Sequence, residues 1–241
     1  MRFIRSLAFV VWLYVTMAIL GIFFAPIVFF LRGFGITVMR LWAHLTLFAL
    51  RWIVGARVTI EGREHLPIGG CVVAMKHQSM LDTIVPFLFL KDPAIVYKQE
   101  LSRAPIFGWY LARTHMIPVA RESHAVALKA MLRAAREAAA AGREIFIFPE
   151  GTRQWLGAKP DYKPGVAALY RDLNLPCAPV ATNSGVVWKP KGLMRSPGHV
   201  YVKILPPIAP GLPRAEFMAE LQARIETASE ALLPDKLKRA A

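Results

Sequence analysis

The chain has 241 residues, 55% of them hydrophobic, and a formal net charge of +14. Its two cysteines allow no disulfide framework and no Cys/His group has zinc spacing, so a disulfide scaffold and a structural zinc module are excluded. The basic charge comes without any nucleic-acid-binding motif, and the apolar amino-terminal region points it toward a membrane instead.

Residues 6–30 contain no charged side chain. That exceeds the ~20 residues needed to span a bilayer. It is also too long and too aromatic for a signal peptide, whose apolar core runs about 7 to 15 residues. Residues 35–54 are apolar but carry Arg40, His44 and Arg51, which suits an interfacial helix better than a span. Pro26 is a kink site, and Arg32-Gly33-Phe34-Gly35 is expected to turn the chain back. Residues 1–55 therefore read as a membrane anchor in the form of a helical hairpin, and residues 56–241 as a separate domain. Arg2 and Arg5 precede the hairpin and Arg51 and Arg57 follow it. Basic flanks prefer the cytoplasmic side, so both ends are expected there, with the bacterial inner membrane as the bacterial case. The hairpin either re-enters one leaflet or crosses twice. Arg40 favours re-entry, because an arginine at the bilayer centre costs at least about 2.5 kcal/mol. A single span with the amino terminus outside is the competing topology.

Strand-like apolar runs then recur at residues 58–61, 71–75, 94–97, 116–119, 144–148, 177–182 and 200–205. Helical patterns lie between several of them. The clearest covers residues 123–141, with Val126, Met131 and Leu132 as apolar positions and a stop at Gly142. Pro206-Pro207 leads to a last helix over residues 214–233, whose apolar face of Phe217, Leu221, Ile225 and Leu232 is expected to pack on the sheet. The alternation predicts an α/β fold with a mainly parallel sheet flanked by helices.

Two runs carry chemistry. In Lys76-His77-Gln78-Ser79-Met80-Leu81-Asp82, an imidazole and a carboxylate stand five residues apart. On a regular helix that spacing separates them by about 140°. They meet only if His77 lies in a strand-to-helix turn and Asp82 in the first helical turn, with Ser79 as N-cap. The catalytic reading makes His77 a general base and Asp82 the group that orients it. The plain alternative is a capping box, in which Asp82 only satisfies backbone amides. The second run is Phe148-Pro149-Glu150-Gly151-Thr152-Arg153. Gly151 permits close backbone approach to a ligand, and Arg153 offers a forked donor suited to phosphate. An ordinary turn with a solvated arginine is the alternative. Both runs follow buried strands, and ligands of α/β sheets gather at strand carboxyl ends.

With these residues in place, the chain resembles the 1-acylglycerol-3-phosphate acyltransferases, the PlsC-like lysophospholipid acyltransferases, over roughly residues 56–210. The resemblance rests on four blocks in order: His77 to Asp82; Lys98-Gln99-Glu100-Leu101 with Pro105 and Gly108, running on to Ile117-Pro118-Val119-Ala120-Arg121; Phe148 to Arg153; and Ala178-Pro179-Val180. Two positions depart from the common pattern, with Lys76 where many members have Asn and Gln154 where many have Ser. The resemblance implies direct transfer without an acyl-enzyme. His77, held by Asp82, deprotonates the sn-2 hydroxyl of 1-acylglycerol 3-phosphate, which attacks acyl-CoA or acyl-carrier protein to give phosphatidic acid. It also implies that Lys98, Glu150, Gly151, Thr152 and Arg153 serve the acceptor's phosphate, with Arg121 as a further contact. No cofactor or metal is implied beyond the acyl donor as co-substrate.

The absence of a Gly-x-Ser-x-Gly elbow and of a phosphate-binding Gly-x-x-x-x-Gly-Lys-Ser/Thr loop is consistent with this. Backbone amides near His77 are candidate oxyanion donors. Trp188-Lys189-Pro190-Lys191 and Lys236-Leu237-Lys238-Arg239 are candidate contacts for anionic headgroups, each cation near the surface adding roughly 1 kcal/mol. Two readings stand against the first: an acyltransferase for another lyso-lipid, such as a lyso-ornithine lipid, and a non-catalytic protein that binds anionic membrane lipids.

Overall fold

The computed structural model describes residues 1–120 and 124–238. Two helices open the chain, α1 (Arg2–Phe30) and α2 (Arg32–Ala49), the second extended by a π-helical turn, Leu50–Val54. They run antiparallel: the Trp12 indole N–H donates to the Leu45 carbonyl, and that of Trp42 to the Leu13 carbonyl, both at 3.1 Å. The reversal is not made by Arg32 to Gly35, as expected. Leu31 alone makes it, extended at φ −118° and ψ 91°, and Gly35 lies inside α2. The glycine permits close packing instead. A Cβ there would fall 2.6 Å from Thr114 Cγ2 and 3.1 Å from Val28 Cγ1.

The remaining elements are β1 (Ala56–Glu61), β2 (Val72–Met75), α3 (Pro86–Phe89), β3 (Pro93–Lys98), α4 (Phe107–Arg113), β4 (Ile117–Val119), α5 (His124–Ala140), β5 (Glu144–Ile147), α6 (Gly165–Leu173), β6 (Cys177–Thr182), β7 (Gly198–Ile204), α7 (Arg214–Ala231) and α8 (Asp235–Lys238). All seven expected strands are present, in one sheet of order β1-β7-β6-β2-β5-β3-β4. Every pairing is parallel except β6 with β7. Those two are joined by a loop without a crossover helix, and such a link suits antiparallel neighbours.

Successive strand residues face opposite sides. Val72, Ala74, Ile145 and Ile147 pack with Met131, Leu169 and Phe217 from α5, α6 and α7. Val73, Met75, Phe146 and Val180 belong to a second cluster with Phe9, Leu13 and Trp42 of the hairpin. The amino-terminal hairpin thus belongs to the cluster on the second face of the sheet. As expected, α7 buries Phe217, Leu221 and Ile225 against the sheet, while Leu232 lies just past the helix end and is half-buried.

Arg40 has a protein environment. It donates to the Phe87, Leu90 and Lys91 carbonyls at 3.0, 3.2 and 3.1 Å, the carboxyl end of α3. The hinge of the hairpin is held by Arg32 to Asp92 at 2.7 Å. Arg113 caps the end of α1 by donating to the Val28 carbonyl at 3.2 Å and to that of Phe29.

Candidate active site

Parallel pairing places the carboxyl ends of β2, β5, β3 and β6 along one edge of the sheet. His77 follows β2 in a loop, and Ser79 caps a 3-10 turn, Met80–Thr83, that carries Asp82. His77 Nδ1 lies 3.3 Å from Asp82 Oδ2. The same oxygen accepts the backbone N–H groups of Gln78 and Ser79, at 2.6 and 2.7 Å. The capping box and the base-orienting pair are therefore one structure. Ser79 Oγ accepts from the Leu81 N–H at 3.1 Å and lies 3.0 Å from Ser184 Oγ. Asp82 is wholly buried, and a buried carboxylate is tolerated because these donors replace water. The His77 ring stacks on Phe148, centroids 3.8 Å apart. With a proton on Nδ1 held toward Asp82, Nε2 keeps the lone pair that a general base needs.

The second loop leaves β5 through Phe148 and Pro149. It is stitched to the first: the Gln154 N–H donates to the His77 carbonyl at 2.8 Å, and the His77 N–H donates to Glu150 Oε1 at 3.4 Å. Gly151 takes φ +63°, which favours glycine. Gly151, Thr152 and Arg153 are exposed at the edge. Lys98 ends β3 on the same edge, half-buried. Arg121 lies outside the described residues.

Glu150 departs from the expected picture. Its carboxylate is buried, faces Lys76 Nζ at 3.8 Å, and leaves Oε2 without a hydrogen bond among the described residues. It serves the loop from inside instead of facing the edge with Arg153. Burial pushes its pKa up to about 7, opposed by the Lys76 charge and by backbone N–H groups, His77's among them.

Sequence reasoning missed the group behind the base. Lys76 Nζ lies 2.6 Å from both carboxylate oxygens of Glu226 on α7, and the Tyr162 hydroxyl donates to Glu226 Oε1 at 3.0 Å. Lys76 departs from the common pattern, but nothing in the sequence points to a residue 150 positions away. The oxyanion expectation also changes. The amides of His77, Gln78 and Ser79 already donate to carboxylates, so a developing oxyanion needs other donors. Trp188, a candidate headgroup contact, is buried against Phe9, ring centroids 5.3 Å apart. Of the other basic run, Arg239 and the side chains of Lys236 and Lys238 lie outside the described residues.

The comparisons agree with this geometry. The Acyltransferase family model matches residues 57–183. Over 207 residues the chain is 34% identical to a 1-acyl-sn-glycerol-3-phosphate acyltransferase of Pseudomonas aeruginosa, spanning 86% of this chain and 80% of that protein. A protein of the same description from Cocos nucifera is 28% identical over 171 residues, 70% of this chain and 55% of its own length. The fold matches the crystal structure of the 1-acyl-sn-glycerophosphate acyltransferase PlsC from Thermotoga maritima with a TM-score of 0.79 at 24% identity, covering 96% of this chain and 98% of that one. With an imidazole, a carboxylate and an arginine loop gathered on one edge of the matched region, the chain belongs to the acyltransferase family.

Proposed function

We propose that the protein transfers a fatty acyl chain from acyl-CoA or acyl-carrier protein to the sn-2 hydroxyl of 1-acylglycerol 3-phosphate, giving phosphatidic acid. The observation that carries this is the juxtaposition of the His77–Asp82 pair with the exposed Gly151-Thr152-Arg153 loop, stitched together by Gln154. Nε2 of His77 takes the hydroxyl proton as the alkoxide oxygen attacks the thioester carbonyl carbon. The tetrahedral intermediate collapses, the C–S bond breaks, and the imidazolium returns its proton to the departing sulfur. Arg153 and Lys98 meet the acceptor's phosphate from two loops, with Gly151 and Thr152 leaving room for it. Arg121 completes the set in this reading, and Glu150 fixes the loop from behind.

Direct transfer fits the cysteines. Cys71 and Cys177 are buried, and burial pushes both thiols up, that of Cys71 to about 12. Neither supplies a thiolate.

The hairpin supports work at a membrane. Both of its helices are long and apolar enough to cross a bilayer. Phe3, Ile4, Val11, Ile19, Ile22, Phe23 and Phe30 on α1 are exposed. Its start and its hinge are both tied to the catalytic half, through Ser6 to Arg195 and Arg32 to Asp92. That tethering supports a re-entrant hairpin lying along the bilayer face, with the basic catalytic half on the cytoplasmic side. A cavity of about 50 Å³ lies between hairpin and catalytic half, lined by Trp42, Met80, Phe87 and Tyr110 among others. It has room for about one or two waters, so an acyl chain entering there must part the hairpin from the sheet.

The test is acyl transfer from a long-chain thioester to 1-acylglycerol 3-phosphate in detergent or vesicles, wild type against His77→Ala. Activity lost in the variant supports acceptor and base together. Equal activity in both refutes the mechanism, and none in either refutes the acceptor.

A further inference from the structure

The loop between β6 and β7 starts and ends on the catalytic edge of the sheet, since β6 runs parallel to β2 and β7 antiparallel to β6. It packs on the catalytic turn. The Gly185 N–H donates to Gln78 Oε1 at 3.1 Å, and a Cβ on Gly185 would fall 3.2 Å from the Leu156 side chain, just beyond Arg153. The loop closes on itself by an isolated bridge between Trp188 and Arg195.

Arg195 is 7% exposed. Its guanidinium lies 4.2 Å from the Trp188 ring centre, and Nη1 donates to the Gly192 and Met194 carbonyls at 2.9 and 3.2 Å. Nε is buried without a hydrogen-bond partner. Its backbone N–H donates to Ser6 Oγ of α1 at 2.9 Å. The side chain is thus fixed before any ligand arrives.

What it lacks is a counter-charge. Arg143, the other buried arginine among the described residues, has Asp92 at 3.2 Å. Arg195 has no carboxylate partner among the described residues. Burial pushes it down to about 10, with Tyr14 opposing and Arg153 adding to the fall. A buried cation without an anion is costly. Arg153 stands in the loop that this one meets through Gly185 and Leu156, and its charge adds to that cost. An anion held by both would relieve that cost.

We propose that Arg195 is a second guanidinium of the anion site, which with Arg153 grips a phosphate of the substrates. The inference rests on the reaction proposed above. The phosphate is that of the lysophospholipid acceptor or one on the acyl donor, and the two are separable by experiment.

The full chain is purified in detergent as wild type, Arg195→Gln, Arg195→Lys and, as a surface control, Arg136→Gln. Thermal unfolding is followed with added inorganic phosphate at constant ionic strength. The expected result is a phosphate-dependent rise in midpoint for wild type and Arg136→Gln, absent in Arg195→Gln and reduced in Arg195→Lys. An equal rise in all four, or none in wild type, overturns the proposal. Kinetics then assign the phosphate. A rise in KM of about tenfold or more for 1-acylglycerol 3-phosphate alone places it on the acceptor, and the same rise for acyl-CoA alone places it on the donor. A fall in kcat with both KM values unchanged makes Arg195 a loop brace only and overturns the proposal. Should Arg195→Gln fail to fold, Arg195→Lys decides: an unchanged KM for both substrates overturns the idea. Should wild type leave 1-acylglycerol 3-phosphate unacylated, the functional reading falls while the phosphate-unfolding arm still decides for Arg195.

Discussion

The two loops that meet at the catalytic edge are built to opposite rules. The turn from Lys76 to Asp82 is closed: its amides are spent on carboxylates, its carboxylate is wholly buried, and its lysine is locked to α7. The loop from Gly151 to Arg153 is open, exposed and glycine-led. A base must hold its tautomer and direction through every turnover, so its surroundings are saturated. A site for a charged ligand must leave its donors unspent until the ligand comes. Glu150 stands where the rules meet, following the open loop in sequence and the closed turn in burial.

The contrast yields predictions, largest first. His77→Ala removes the proposed base and is expected to lower kcat by about 10²–10⁴-fold, with little change in acceptor KM, in steady-state assays. Lys76→Met strands Glu226 and Glu150; the Lys76–Glu226 pair is partly buried, so the stability loss by denaturant unfolding should fall below the about 3–5 kcal/mol of a fully buried pair. The double variant Lys76→Met/Glu226→Leu should recover part of that loss. No recovery would mean that the pair is not what matters. Asp82→Asn can set its amide oxygen where Oδ2 meets the Gln78, Ser79 and His77 groups, but it loses the negative charge that strengthens those bonds. About 1–3 kcal/mol of stability should go, along with most activity. Arg153→Gln, in the open loop, should leave the unfolding midpoint unchanged and raise the acceptor KM about tenfold. A stability loss as large as that of Lys76→Met would erase the distinction between the loops.

The last prediction concerns pH. The Glu150 carboxyl titrates near 7 in the folded chain against 4.5 as its ordinary value. The folded state therefore holds a proton that the unfolded state has released across this window. Stability falls as pH rises from about 4.5 to about 7, by at most about 1.4 kcal/mol per unit, and levels above it. Glu150→Gln should flatten that slope in unfolding curves taken across the range. An unchanged slope would assign it to other groups.

Strand positions were legible because buried strands read as short apolar runs, and all seven appear within a few residues of expectation. The His77–Asp82 contact was legible because Ser79 marks where the helical turn starts. The hinge was not. Arg32 to Gly35 has turn composition, but packing of Gly35 on Thr114 and Val28 makes it helix. The Lys76–Glu226 pair and the setting of Arg195 were also out of reach, because they join segments that share no local pattern.

By itself the sequence determined the kind of elements, their order and the chemistry available at His77, Asp82 and Arg153, since hydrophobic period and residue type are local properties. Only the tertiary structure decided which charges are spent and which are held ready. Burial and partnership depend on segments far apart in the chain, as Glu150, Arg40 and Arg195 each show.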